Sequence, residues 1–268
     1  MNQDWEPPCP LRPLVTTPEL LVGEWACAGG HAAARWREQA RYHELDLLQT
    51  GSHLRTHGRQ RSVVDPTTAA VNTPGNEYWM EAASQRPQRG TLLLLRGALA
   101  EECASREAPR TRHVSASAAR LHFQLLRALD PLAREETALA LVHHLHAEGR
   151  APPRGPRAIS PAWRQLTEEL QHVMATSFTE RLTVSALAAA TRTSPFHASR
   201  VFRAVTGETM HAHLNRLRLR AALFELEHAS GRLTDVALEM GFSSHSHFTH
   251  AFRREFGCPP SALATPRP

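Results

Sequence analysis

The sequence predicts an α+β protein in two parts, a β-rich first half closed as a barrel or jelly roll and an all-α end, with a helical pair between them. Three observations carry this reading. From about Leu20 to Leu99 short apolar runs are cut by Gly and Pro at hairpin spacing. From Ser115 the apolar residues recur every three or four positions instead. A Pro-rich break, APPRGPRAISP at Ala151–Pro161, then precedes a helical stretch that contains a duplicated segment.

The β runs are Leu20-Leu21-Val22, Leu45-Asp46-Leu47-Leu48, Ser62-Val63-Val64, Ala69-Ala70-Val71 and Thr91-Leu92-Leu93-Leu94-Leu95. Gly51, Gly58, Pro66, Pro74-Gly75 and Gly90 punctuate them. A small barrel is the natural closure because it leaves few free edges. Ala119, Phe123, Leu126 and Leu129, then Leu139, Val142 and Leu145, mark two helices broken at Asp130-Pro131. That pair either forms a dimer contact or packs back on its own β domain. The expected organisation is a β domain at 1–114, the helical pair at 115–150, a linker at 151–161 and a helical domain at 162–268. Trp163, Leu166, Leu170 and Val173 mark the first helix of that last domain.

Composition narrows the classes. The chain has 268 residues, 41% apolar and 21% charged, which is ordinary globular usage. No run approaches 18 uninterrupted apolar residues, so no membrane span is expected. Met1–Pro13 is polar and Pro-rich without the pattern of a signal peptide, which makes the cytoplasm the expected compartment. Cys9, Cys27, Cys103 and Cys258 are scattered with no C-x-x-C, and the expectation is four reduced, unconnected thiols. The net charge is +5 and all 31 basic residues are Arg, whose fork suits phosphate; GC-rich coding also favours Arg. There is no P-loop, no dinucleotide fingerprint and no G-x-S-x-G elbow. No enzymatic activity and no cofactor are expected.

The duplicated segment carries the functional argument. TVSALAAATRTSPFHASRVFRAVTG begins at Thr183, and LTDVALEMGFSSHSHFTHAFRREFG begins at Leu233. Phe202 matches Phe252, Arg203 matches Arg253 and Gly207 matches Gly257, each fifty positions on. Each copy reads as helix, turn, helix, at 182–203 and 233–256. In the second copy Thr234 or Asp235 caps a helix through Met240, and Gly241 takes a left-handed turn. Phe242 plugs the core, and Ser243 or Ser244 caps a helix from His245 to Phe256. In the first copy Thr183 caps, and Ser194-Pro195 opens the second helix. Arg192 stands where the turn Gly is expected, at a cost of about 1 kcal/mol.

The outer faces then carry Phe196, Ser199, Arg200 and Arg203 in one copy, and His245, Ser246, Thr249, His250 and Arg253 in the other. Polar side chains on the second helix of such a motif suit the DNA major groove. Between the copies Glu208–His228 reads as one helix. Twenty helical residues span roughly 30 Å, close to the 34 Å or so of one B-DNA turn, so one chain could place two reading helices in adjacent major grooves.

These residues resemble the AraC/XylS family of bacterial transcription regulators. Ala237, Gly241-Phe242-Ser243-Ser244, Ser246-His247-Phe248, Phe252-Arg253, Phe256-Gly257 and Pro260 follow its signature, and Leu214-Asn215-Arg216-Leu217-Arg218 with Ala222 resembles its linker helix. The resemblance covers about Pro161 to Leu263. It implies a seven-helix DNA-binding domain with contacts from Phe196, Ser199, Arg200, His245, Ser246, Thr249 and His250. Three residues depart from the pattern: Arg192, His250 where Arg is frequent, and Leu263 where an aromatic is frequent. They imply a weaker or pH-dependent grip by the second helix.

Upstream, His43-Glu44-Leu45 before Gly51, and Pro74-Gly75-Asn76-Glu77, resemble the family's cupin-like sensing domains, which implies a small-molecule effector held inside the barrel. The resemblance thus implies double-stranded DNA and an effector as partners, with RNA polymerase and a second copy of the chain behind them.

Bland and sharp readings stand side by side for the histidines. His245, His247 and His250 face apart on a helix, and His247 suits a helix-start or packing role. His43, His53 and His57 lack the tight spacing of a cupin metal site, so no metal is expected. His143, His144 and His146 read as surface or interhelix residues. Tyr78-Trp79 is either a strand on the barrel core or part of an effector pocket. Two rival functions remain: a cupin-type metalloenzyme fused to a DNA-binding module, and an adaptor that has lost DNA binding.

Overall fold

A computed structural model of the chain describes residues 9–28, 35–82, 87–103, 110–149, 159–227, 229 and 232–264. The Pro-rich break lies largely outside the described residues, as does His228 at the expected end of the connecting helix. The chain divides into two compact units, residues 1–60 with 64–150 and residues 61–63 with 151–268.

The first unit, described with the whole of the strand that contains residues 61–63, is a two-layer β structure with two helices packed on it. Its strands are β1 (Leu11–Thr16), β2 (Leu20–Cys27), β3 (Arg35–Gln39), β4 (His43–Thr50), β5 (His53–His57), β6 (Gln60–Val64), β7 (Thr68–Asn72), β8 (Glu77–Ala82), β9 (Gln88–Leu95) and β10 (Thr111–His113). One sheet has the order β1-β2-β9-β4-β7-β10 and the other β3-β8-β5-β6. Among the described residues no strand pairing joins the two sheets. A side-chain pair bridges them: Arg55 on β5 reaches Asp46 on β4 at 2.6 Å, and within the larger sheet the Trp25 indole on β2 donates to the same Asp46 at 3.1 Å. Gly90 makes room for that indole, since a Cβ there would lie 2.5 Å from the Trp25 ring.

The apolar runs of the sequence became β2, β4, β6, β7 and β9, with most of their leucines and valines buried and Leu21, Leu92 and Leu94 half-buried. Five strands lack such a run, the three-residue β10 among them. RWREQ, HLRTH and EYWMEA form β3, β5 and β8, and LRPLVT forms the edge strand β1. A further short helix, α1 (Gly97–Cys103), follows β9. The β1–β2 register pairs Leu11 with Trp25. Two residues further along, it sets Cys9 opposite Cys27, and the two form a disulfide with Cα atoms 5.6 Å apart. This corrects the expectation of four unconnected thiols; Cys103 and Cys258 form no disulfide among the described residues.

The helical pair is α2 (Ala116–Arg127), capped by Ser115, and α3 (Pro131–Gly149), whose Ala133 amide donates to Asp130. The two helices pack on each other and on their own β layer. His122 lies 2.7 Å from the Thr91 hydroxyl of β9, and Arg112 of β10 donates to the Leu145 carbonyl of α3 at 2.8 Å. The buried stripe of α3 is Ala138, Leu141, Val142 and Leu145, so Leu139 is not at its centre. Leu129 is 57% exposed because α2 ends before it.

The second unit is helical: α4 (Pro161–Ser177), α5 (Val184–Ala190), α6 (Pro195–Thr206), α7 (Met210–Glu225), α8 (Leu233–Glu239), α9 (His245–Phe256) and a 3-10 turn at Pro260–Ala262. Thr183, Ser194 and Ser244 cap α5, α6 and α9 as the sequence predicts. Two expectations change. Arg232, without a side-chain cap, precedes α8, so Thr234 and Asp235 lie inside it. Thr209 caps α7, which has 16 residues and spans about 24 Å rather than the 30 Å expected. Glu208 lies just outside the helix and pairs with Arg216 at 2.9 Å.

Burial pushes the His122 imidazole down to about 3. Below its ordinary value of 6.5 the unfolded chain takes up a proton that the folded chain refuses. The stabilisation is therefore complete above about pH 6.5 and lost as pH falls. Denaturant titrations at stepped pH should show native stability falling by about 1.4 kcal/mol per pH unit from this residue between about pH 6 and 4. His122→Gln should remove that component; an unchanged slope in the variant would assign the effect elsewhere.

Candidate nucleic-acid interface

The helices α6 and α9 are two copies of one design. Each has 12 residues, starts after a capping Ser (194 or 244) and ends at a left-handed Gly, with φ +79° at Gly207 and +76° at Gly257. Each buries one face: Ala198, Val201 and Phe202 in α6, and Phe248, Ala251, Phe252 and Phe256 in α9. The phenylalanines of α9 stack in series, with ring centroids 5.5 Å and then 4.5 Å apart.

The opposite faces hold the residues singled out from the sequence. Phe196, Ser199, Arg200 and Arg203 are exposed on α6; His245, Ser246, His250 and Arg253 are exposed on α9, with Thr249 half-buried beside them. Thr249 lies 3.4 Å from the His245 ring one turn earlier. His247, exposed, lies 3.3 Å from the Ser243 hydroxyl at the start of the helix and meets the Phe242 ring edge-on at 5.5 Å, contacts that suit either of the roles expected of it.

Arg200 is held in place by its neighbours. Its guanidinium carbon sits 5.6 Å above the Trp163 ring of α4, and Nη2 lies 3.4 Å from His197. The role of Trp163 beneath Arg200 is invisible in sequence, because the two residues are far apart in the chain. Arg254, exposed beside Arg253, is a further cation at the end of α9 that the repeat alignment passed over.

The α7 helix holds these helices through its arginines. Arg220, buried, pairs with Glu255 of α9 at 2.9 Å, and its guanidinium lies 5.1 Å from the Phe256 ring centre. Arg216 reaches Glu208 at 2.9 Å and Glu255 at 4.0 Å. Arg218 donates to the Phe178 and Glu180 carbonyls at 2.6 and 2.7 Å, closing the end of α4. Burial alone would raise the Glu208 carboxyl, but hydrogen bonds from His213 and Arg216 outweigh it and hold the group below its ordinary value.

The two turns solve the same backbone problem differently. Gly241 has φ +81°, and a Cβ there would lie 2.7 Å from the Thr179 carbonyl oxygen and 2.9 Å from Arg218 Nη2. Arg192 takes φ +53°, the one non-Gly residue in the left-handed region among the described residues, and its side chain is exposed. The first copy therefore keeps the turn without the glycine.

The interior of the β unit is a second polar centre. Asp46 is buried between Trp25 and Arg55; Arg55 donates through Nε to His53 at 3.1 Å, and its guanidinium lies 4.8 Å from the Tyr78 ring centre. The Tyr78 hydroxyl donates to Glu38 at 2.7 Å, and Asn72 donates to Glu44 at 2.9 Å. Burial raises the Glu44 and Asp46 carboxyls, and burial lowers His57 to about 4. Arg55 Nη1 and Asn72 Oδ1 are buried with no hydrogen-bond partner among the described residues. Tyr78 belongs to this interior, while Trp79 is 39% exposed on the other side of β8. Among the described residues no group of three or more His, Cys, Asp or Glu side chains is placed to hold a metal ion. No helix among them is long and apolar enough to cross a membrane.

Residues 187–265 match a family model described as a helix-turn-helix domain. The HTH-type transcriptional activator RhaS of Escherichia coli O139:H28 (strain E24377A / ETEC) is 47% identical over 55 residues, as is that of Escherichia coli O1:K1 / APEC. The match spans 20% of this chain and 20% of those relatives' length. Among solved structures, fatty-acid-bound ToxT from Vibrio cholerae strain SCE256 aligns over 92% of this chain and 95% of its own, with 9% identity and a TM-score of 0.38. The DNA-binding domain of AdpA in complex with a target DNA aligns over 39% of this chain and 91% of its own, with 28% identity and a TM-score of 0.33.

Thermal or denaturant unfolding of the full chain should register the two turns with opposite signs. Gly241→Ala should destabilise the helical unit by about 1–3 kcal/mol, through a strained φ and the carbonyl contact. Arg192→Gly should stabilise it by up to about 1 kcal/mol. A loss in Arg192→Gly would mean that the arginine side chain contributes more than its backbone costs.

Proposed function

We propose that this chain is a sequence-specific transcription regulator that binds double-stranded DNA through α6 and α9 and responds to a small molecule held in its β unit. The observation that carries the DNA half is the duplicated helix with an apolar buried face and an outer face whose hydroxyls, imidazoles, arginines and one phenyl ring are largely exposed. Phe196, Ser199, Arg200 and Arg203 then meet one major groove, and His245, Ser246, Thr249, His250 and Arg253 the next. Arg200 offers a planar fork to guanine O6 and N7 or to a phosphate. Base discrimination from such a fork is worth about 1–3 kcal/mol.

The sensing half draws support from the buried, unpartnered groups of Arg55 and Asn72 between the sheets. Effector binding there biases DNA engagement only if the two DNA-binding states hold the effector with different affinity. The protein acts in the cytoplasm, with RNA polymerase and a second copy of the chain as further partners, and works without a cofactor or catalytic activity of its own. Of the two departures that motivate the adaptor reading, Arg192 keeps its turn at φ +53°, and the histidines of α9 remain. The metalloenzyme reading finds His53 engaged by Arg55 and His57 packed 5.3 Å from the Tyr78 ring.

The test is selection of fragmented genomic DNA on the full chain at two salt concentrations. Recovered sites should share two half-motifs about one helical turn apart. Arg200→Ala should weaken binding to them about tenfold, by loss of a base fork or of one phosphate contact, the latter also lowering the salt slope by about 1. Salt-labile, sequence-blind recovery, or an Arg200→Ala protein with unchanged affinity and slope, would overturn the reading.

A further inference from the structure

The two outer faces are not chemically equivalent. Position by position, fifty residues apart, Ser199 matches Thr249, Arg200 matches His250 and Phe196 matches Ser246. The first two pairs exchange one polar group for another. The third exchanges an aromatic ring for a hydroxyl. Phe196 is 78% exposed, more than any other large apolar side chain among the described residues. It sits in the first turn of α6, directly after Pro195, and shares a helix face with Ser199 and Arg200, three and four residues on. The phenylalanines that build the core of this unit, Phe202, Phe242, Phe248, Phe252 and Phe256, are all buried. Single exposed apolar side chains are common on protein surfaces. This one stands at the start of the helix whose outer face, on the reading above, enters the groove.

Only one base presents an apolar group to the major groove: thymine, through its C5-methyl. Cytosine, adenine and guanine present donors or acceptors there. A phenyl ring laid against those groups would strip them of water and return no hydrogen bond. We propose that Phe196 is a specificity residue that packs on a thymine methyl in the α6 half-site, beside the base or phosphate that Arg200 engages, and that the α9 half-site, facing Ser246, carries no such requirement. The preferred DNA is therefore two dissimilar half-sites rather than a repeat of one. This rests on the DNA-binding reading, and the experiment separates the two.

Sites are first selected from random duplex DNA by the full-length wild type, by Phe196→Ala and by Phe196→Leu. Each thymine of the wild-type site is then replaced singly by deoxyuridine, which removes only the methyl. Wild type should require thymine at one position of one half-site, and deoxyuridine there should weaken binding about fourfold, the worth of one buried methyl-sized group. Phe196→Ala should lose that preference and bind thymine and deoxyuridine sites equally. Phe196→Leu should restore part of the discrimination, and because the side chain is exposed, all three proteins should unfold alike.

Specific binding by wild type with no deoxyuridine effect anywhere, or the same effect in Phe196→Ala, overturns the thymine assignment and leaves DNA recognition standing. So does a loss of affinity in Phe196→Ala that no deoxyuridine reproduces, which would make the ring a wedge between base steps. Failure of wild type to select any shared sequence removes the DNA-binding reading and this inference with it.

Discussion

The helical unit depends on one buried charge. Arg220 lies in the middle of α7 with its guanidinium out of water, and it is tolerable there because Glu255 of α9 meets it at 2.9 Å and the Phe256 ring lies against it. Removing one partner of such a pair leaves an uncompensated buried charge, a loss of about 3–5 kcal/mol. The pair also ties the end of α9 to α7. With Arg218 bonded to the carbonyls at the end of α4, α7 organises both copies of the motif through alternate residues of one arginine-rich stretch. Arginines that read from sequence as a basic surface are in part the internal frame of the domain.

The two copies share caps, lengths and terminal glycines, and differ where the surroundings differ. Gly241 is pressed between the Thr179 carbonyl and Arg218, so no side chain fits. The corresponding turn in the first copy leaves the Arg192 side chain in solvent, and the left-handed backbone is then a matter of local strain alone. The same contrast appears on the outer faces, where Arg200 rests on Trp163 and its counterpart His250 is an exposed imidazole. A duplicated fold therefore presents two different surfaces from one scaffold.

The β unit inverts the usual pattern of a sheet interior. Its inward positions on β4, β5 and β8 include Asp46, His53, Arg55 and Tyr78, joined by short hydrogen bonds and a cation over a ring. Apolar contacts adjoin it, in the cluster of Leu48, Val64, Ala70 and Trp25. Such a network is costly to leave incomplete, and Arg55 and Asn72 each keep a buried atom without a partner.

What the sequence by itself determined is local. The change of period at Ser115, the caps Thr183, Ser194 and Ser244, the left-handed turns at Arg192 and Gly241 and the two matching faces all depend on residues a few positions apart. Their physics is that of a single helical turn. Strands with apolar runs were legible for the same reason. HLRTH and RWREQ were not, because a strand whose inward side chains are polar lacks the apolar alternation that marks it. Only the tertiary structure decided the rest: that Cys9 meets Cys27 through the β1–β2 register, that Trp163 supports Arg200, that Arg220 is internal, and that α2 and α3 cover their own sheet. Each of these joins residues distant in the chain, and no spacing along a sequence encodes which of two distant side chains a fold will bring within bonding distance.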